Sequence, residues 1–229
     1  MSVVAVTGFV PDAFPARHLS PEQFAGLGQR LRDALGSRLV VHERAWGDCW
    51  AAEMVRRIPD LLPSCANPPA DRFATPADMV RSNVVLLERF RWLAETTATL
   101  GPGDTVVWIE WSILKQAGVT PEILRAFLDA VERDPPTAIT GPGCWPLSLI
   151  DDREAHWRFV GSCLVVPASL AGDLYSAVVG VVLTRTATTR RLSWDMNSLA
   201  YVELLGVLPF AWYPAGHDET QFTRYGERQ

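Results

Sequence analysis

VVAVTGF (3–9), SPEQFAGLGQRLRDALG (20–36) and RLVVHE (38–43) decide the fold. The first is a short apolar run that includes Gly8, the pattern of a strand buried on both faces in a parallel sheet. In the second, Ser20 is placed to cap a helix, Pro21 suits the first helical position and Gln23 completes a capping-box spacing. Gly36 then stops the helix. The third is again β-branched and apolar and ends on His42 and Glu43. Strand, helix and strand at this spacing make a βαβ unit with its two strands parallel.

The alternation continues along the chain. Residues 59–76 carry five prolines and read as an irregular loop, long enough to suggest a function. A long helix follows from Thr75 and Pro76, with Met79, Asn83, Leu86, Leu87, Phe90, Leu93 and Thr97 on one face, until Gly101 and Gly103 end it. DTVVWIEW (104–111) is the next strand. TPEILRAFLDAVER (120–133) is a helix capped by Thr120 that buries Ile123, Leu124, Phe127, Leu128 and Val131. TAIT (137–140) and HWRFVGSCLVVP (156–167) read as strands, and 169–185 as a helix. SWDMNSLAYVELLG (193–206) is a helix with Ser193 as cap and Gly206 as stop; FAWY (210–213) is the last strand, before a polar tail. The expected fold is α/β: three layers, Rossmann-like, with helices on both faces of a mostly parallel, mixed central sheet. Ligands of such sheets bind beyond the carboxyl ends of the strands, which points to residues 7–12, 42–48 and 110–115.

Composition narrows the function classes. The 229 residues are 48% hydrophobic and 21% charged, as in an ordinary globular chain of one domain. A net charge of −5 without a basic run argues against a protein that grips a nucleic-acid backbone, though a base remains open as substrate. Cys49, Cys65, Cys144 and Cys163 have no paired spacing, so reduced thiols are expected, with Cys163 in the core and no structural zinc. No apolar stretch is long enough to span a membrane and the N-terminus lacks a signal-peptide pattern, so the expected location is the cytoplasm. No G-x-G-x-x-G, Walker A or G-x-S-x-G motif opens a helix, which disfavours dinucleotide enzymes, P-loop enzymes and α/β-hydrolases.

The chemistry concentrates in VVWIEWSIL (106–114). Glu110 ends a very apolar strand, and Ser112, two residues on, shares its side. A carboxylate and a hydroxyl so placed could hold a divalent cation, Mn²⁺ or Mg²⁺, through oxygen. The alternative is a carboxylate that merely hydrates the strand end.

Four stretches in order then resemble a known group: WIEWSIL, RFVGSCLVVP, SWDMNSLAYVE and the YPAGHD of the tail. The chain is similar to glycosyltransferases of the GT-A fold, and in particular to the HtrL/YibB-like group of bacterial and phage enzymes. That resemblance implies a metal motif at Glu110 and Ser112, where the family carries Asp-x-Asp, with His217 closing on the metal. It implies a glycine loop at Gly161 and an acceptor-side carboxylate, Asp195 after Trp194, acting as base or as hydrogen-bond anchor. Both metal-motif aspartates are replaced, which implies weaker metal dependence or a binder of donor without efficient transfer. For Asp195 the plain alternative is compensation of a helix dipole.

The remaining candidates follow from position. Thr7, Gly8 and Phe9 end the first strand, and His42 ends the second, near the expected nucleotide pocket. Arg81 lies early in the long helix, within reach of a phosphate, as Arg17 and Arg72 do from loops. Trp111, Trp145 and Trp194 flank the proposed site as platforms for sugar rings or as plain packing. The combined expectation is one glycosyltransferase domain over 1–229, with a nucleotide-sugar-binding half to about Leu114 and an acceptor-side half after it. Its partners would be a nucleotide-sugar donor and an acceptor hydroxyl on a protein, glycan or modified DNA base, with homo-oligomer assembly left open. The rival expectations are a catalytically degenerate nucleotide-sugar-binding protein and an unrelated α/β protein for another small ligand.

Overall fold

The computed structural model describes residues 2–12, 21–58, 60–63, 75–143, 145–150, 156 and 158–229. β1 (Val3–Phe9), α1 (Pro21–Leu35) and β2 (Leu39–Glu43) form the expected unit, with β1 and β2 parallel and Gly8 opposite His42. α2 (Ala52–Arg57) and a two-residue strand β3 (Leu62–Pro63) precede α3 (Pro76–Thr97). α3 starts as the sequence predicts: the Thr75 hydroxyl accepts from the Asp78 amide, with Pro76 at the first turn. β4 (Thr105–Ile109) pairs parallel with β1 on the side away from β2. α4 (Pro121–Arg133) is capped by the Thr120 hydroxyl, which accepts from the Ile123 amide.

The second half contains β5 (Ile139–Gly143), β6 (Cys163–Pro167), α5 (Ala168–Thr189), β7 (Arg191–Leu192), α6 (Asp195–Leu205), β8 (Phe210–Pro214) and the short α7 (Thr220–Thr223). The six-stranded sheet has the order β2-β1-β4-β6-β5-β8, and β3 pairs with β7 in a separate ladder. β6 runs antiparallel to both of its neighbours, while β5 and β8 are parallel. The fold is therefore α/β with a mostly parallel, mixed central sheet, and Val3–Phe9, Leu39–Glu43 and Thr105–Ile109 are its neighbouring parallel strands.

Alternation of side chains divides the core. Val6, Val106 and Trp108 face α3, α5 and α6, where Leu87, Phe90, Val178 and Leu199 meet them. Val3, Ala5, Val107 and Ile109 face α1 and α4, where Leu31, Leu124 and Phe127 meet them. The tail is not merely polar: Phe222 and Tyr225 fold back onto Phe127 with edge-on rings. Cys163 is buried in this second cluster, as expected, and burial pushes its thiol well up.

Three local expectations are corrected. The strand expected over 156–167 begins only at Cys163. Upstream of it, polar groups are taken by side chains of α6: the His156 amide donates to Asn197 Oδ1 at 2.8 Å, and Arg158 holds Glu203 with two bonds of 2.8 and 2.6 Å. Among the described residues of this stretch only the Val160 amide reaches a strand, at Pro142 O, and no ladder forms between them. The strand expected at 137–140 lies later, at Ile139–Gly143. The cap of α6 is Trp194, not Ser193, whose buried hydroxyl has no hydrogen-bond partner. Ser20, Arg17, Arg72, Cys65, Cys144 and most of the 59–76 stretch lie outside the described residues. Among the described residues, no helix is long and apolar enough to cross a membrane.

Candidate functional site

β4 delivers Glu110 to the carboxyl edge of the sheet. Its backbone N–H donates to Ser162 O at 2.9 Å, so the strand exit is fixed to the entry of β6. Glu110 and Ser112 do share one side: the Ser112 hydroxyl donates to Glu110 Oε1 at 2.8 Å. Glu110 is half-buried and Ser112 buried.

Behind this strand end stands a residue that the sequence reading missed. Arg89, in the middle of α3, is 2% exposed. Its Nη1 donates to Gly161 O, its Nη2 pairs with Asp195 Oδ2, and its Nε donates to Leu86 O at 2.9 Å. The guanidinium also lies 5.2 Å from the centre of the Trp108 ring. Trp108 lies on β4 two residues before Glu110, so four separate elements converge on one cation. Asp195 is 1% exposed and Oδ1 has no well-formed hydrogen bond. Burial pushes its carboxyl up, the Arg89 charge pulls against that, and the Glu110 charge adds to the rise. The structure thus brings Glu110, Ser112, Gly161 and Asp195 into one neighbourhood.

The tail is tied to the same place. Gln221 is fully buried and its Nε2 donates to Gln116 Oε1 at 3.0 Å, while Gln116 Nε2 donates to Ser162 Oγ at 3.3 Å. Gly118 has φ of +78°, and a Cβ there would sit 2.3 Å from Glu219 Oε2, so glycine permits both the turn and the seating of the tail. His217 lies exposed on this tail beside Asp218, whose carboxyl is held low by the Thr220 hydroxyl and amide. Among the described residues, no three His, Cys, Asp or Glu side chains gather as a metal cage. The donor set near Glu110 still suits Mg²⁺ or Mn²⁺, because Mg²⁺ typically takes one or two carboxylates and completes its shell with phosphate and water.

The other candidates have defined places. Thr7 is fully buried with an unpartnered hydroxyl. At Gly8 a Cβ would lie 2.5 Å from the Trp92 ring, so the glycine admits an indole against β1. Phe9 packs on Trp111 at 4.5 Å between ring centres, and Trp111 is itself buried over Gly28 of α1. His42 turns onto α3. Its Nε2 meets Thr96 Oγ1 at 2.8 Å, and since the Thr96 hydroxyl proton goes to Trp92 O, Nε2 carries the imidazole proton. Burial lowers the His42 pKa, against the raising effect of Glu95. Arg81 is exposed in the second turn of α3. Trp145 is 41% exposed and stands edge-on to His156, whereas Trp194 is half-buried at the start of α6.

The signal for Arg89 lay in its flanks. Leu86 and Leu93, three before and four after it, put it on the helix's apolar stripe, where an unpaired arginine does not stay. No known family model matches the chain, and no curated protein matches it significantly.

Proposed function

We propose that the protein is a nucleotide-sugar-dependent glycosyltransferase whose site is the carboxyl edge of β4 and β6. The observation that supports this reading is the meeting of Gly161 and Asp195 at Arg89, 72 residues before Gly161, with Glu110 close enough for its charge to act on Asp195. These are the residues that the resemblance to GT-A enzymes nominates, in the same order along the chain. In this reading Glu110, oriented by the Ser112 hydroxyl, is the protein ligand for a divalent cation, with His217 closing from the tail. The ion supplies charge neutralisation for the departing diphosphate. The chain's own residues do the rest. Trp111 and Phe9 wall the strand ends, His42 lies towards the base and Arg81 reaches for phosphate, while Thr7, fully buried, supports the end of β1 from within. Gly161 offers backbone to the sugar, Trp194 an apolar face, and Asp195 acts through Arg89 as an anchor behind the acceptor side.

A nucleotide-sugar-binding protein without transfer is the second reading, favoured by the closure of Asp195 from solvent. Thermal unfolding with UDP, GDP, ADP and dTDP, with and without Mn²⁺, tests both. At a hundred times Kd a bound diphosphate adds about 2.7 kcal/mol, a rise on the order of 5–10 °C for a chain of this size. Glu110→Ala should lower the calorimetric affinity for that diphosphate about tenfold or more with Mn²⁺ and leave it unchanged without. Equal affinities with metal present would remove Glu110 from the site, and release of diphosphate from a nucleotide sugar separates the enzyme from the binder.

A further inference from the structure

As the partner of Asp195 alone, Arg89 would be an unusual residue to bury. A buried guanidinium is costly unless its donors are satisfied and its charge is met. Here the fork is divided: one Nη serves the Gly161 carbonyl and the other serves Asp195, while Nε is held by the helix's own Leu86 carbonyl. The Trp108 ring closes the face of the cation. A simple ion pair would need none of this division.

The consequence lies one residue further along each partner. Ser162, next to Gly161, receives the Glu110 amide through its carbonyl and Gln116 through its hydroxyl. Asp195 opens α6, whose Asn197 and Glu203 hold His156 and Arg158 upstream of the glycine. One guanidinium therefore sets the spacing between the β4 exit, the glycine turn and the start of α6.

We propose that Arg89 is a positioning residue of the transfer site, which clamps the Gly161 turn and α6 against the Glu110 strand end. The inference rests on the glycosyltransferase reading, because positioning matters only if these three segments share a substrate. Lysine separates the roles. It keeps a charge for Asp195, but a single ammonium lacks the planar fork that spans two acceptors.

The experiment compares wild type with Arg89→Lys and Arg89→Met. Diphosphate release is followed from a panel of UDP-, GDP-, ADP- and dTDP-sugars with water as acceptor, alongside diphosphate Kd with Mn²⁺ and thermal melts. The expected result is a cooperative melt for Arg89→Lys, diphosphate Kd within about threefold of wild type and kcat lower by about thirtyfold or more. Turnover within about threefold in a folded Arg89→Lys overturns the clamp and leaves the enzyme reading intact. A loss of diphosphate affinity equal to the loss of kcat also overturns it, since Arg89 would then act on donor binding alone. If wild type binds no diphosphate and releases none, the glycosyltransferase reading falls and the proposal falls with it. Should Arg89→Lys fail to fold, Arg89→Met combined with Asp195→Asn removes both charges together, and turnover within about threefold of Asp195→Asn alone overturns the clamp.

Discussion

Asp195→Asn distinguishes a buried ion pair from a carboxylate that merely faces a helix dipole. A carboxylate at a solvated first turn contributes about 0.3–1 kcal/mol. Asp195 is 1% exposed, however, and its partner Arg89 is 2% exposed. The amide would leave the guanidinium buried with carbonyl oxygens but no counter-charge. Breaking such a pair from one side costs about 3–5 kcal/mol, a large part of the roughly 5–15 kcal/mol that holds an ordinary domain together. The two halves of the pair should also differ with pH. Wild-type Asp195 has a folded pKa raised by burial even beside Arg89, so the wild type loses stability as pH rises through it and the Asp195→Asn deficit should shrink from pH 5 to pH 8. Arg89→Met keeps that carboxyl and removes the cation that pulls its pKa down. Burial raises its folded pKa above the unfolded value, so its stability is full below the unfolded pKa and is lost as pH rises through the folded one. That deficit should therefore grow between pH 5 and pH 8, by at most about 1.4 kcal/mol per unit. Urea unfolding of both variants and of the double variant at the two pH values gives the numbers. An Asp195→Asn deficit under about 1 kcal/mol, with a flat Arg89→Met, would mean that the carboxylate is solvated and the argument is wrong.

Glu88 offers a second titration. It is fully buried between the Trp50 amide at 3.1 Å and the Arg44 guanidinium at 3.3 Å, and burial pushes its carboxyl up to about 6. Its contribution is full below the unfolded pKa and is lost as pH rises through about 6. Relative to Glu88→Gln, wild type should lose roughly 2 kcal/mol of unfolding free energy between pH 4.5 and 7.5. A difference that grows in the other direction would show that Arg44 and Arg91 hold the carboxyl low. Gly28→Ala tests the seat of the strand end. Its Cβ would fall 1.6 Å from Trp111 Cζ2, so despite a better helix former it should cost about 1–3 kcal/mol. Gly26→Ala has open space and should gain up to about 1 kcal/mol. Equal melting temperatures for the two would unseat Trp111 from α1.

What was legible in the sequence was what neighbours in the chain decide. β1, β2 and β4 are apolar runs with turn residues at their ends, and Thr75 and Thr120 announce their helices by side chains that cap within three residues. Strand alternation predicts the Glu110 and Ser112 contact, but β4 ends at Ile109 and the turn after it brings the two side chains together. What was not legible depends on partners far away in sequence. Arg89 looks like one more cation on a helix until Gly161 and Asp195 arrive beside it. HWRFVG reads as strand because it is apolar, but its polar groups turn to Asn197 and Glu203 on a helix. Ser193 reads as the cap and Asp195 as a first-turn carboxylate, but both are buried and the cap falls to the half-buried Trp194.

The junction of Gly143 with Arg158 has a consequence for how such a protein can vary. A Cβ at 143 would stand 2.3 Å from the Arg158 carbonyl oxygen, and the Val160 amide donates to Pro142 O at 2.7 Å. The chain between these points leaves and re-enters the framework at one doorway. Lengthening a segment whose ends are already closed costs only about 0.6 kcal/mol for each doubling. Insertions between Gly143 and Arg158 should therefore leave the doorway standing and the sheet unchanged as long as His156, buried and held by Asn197, is kept.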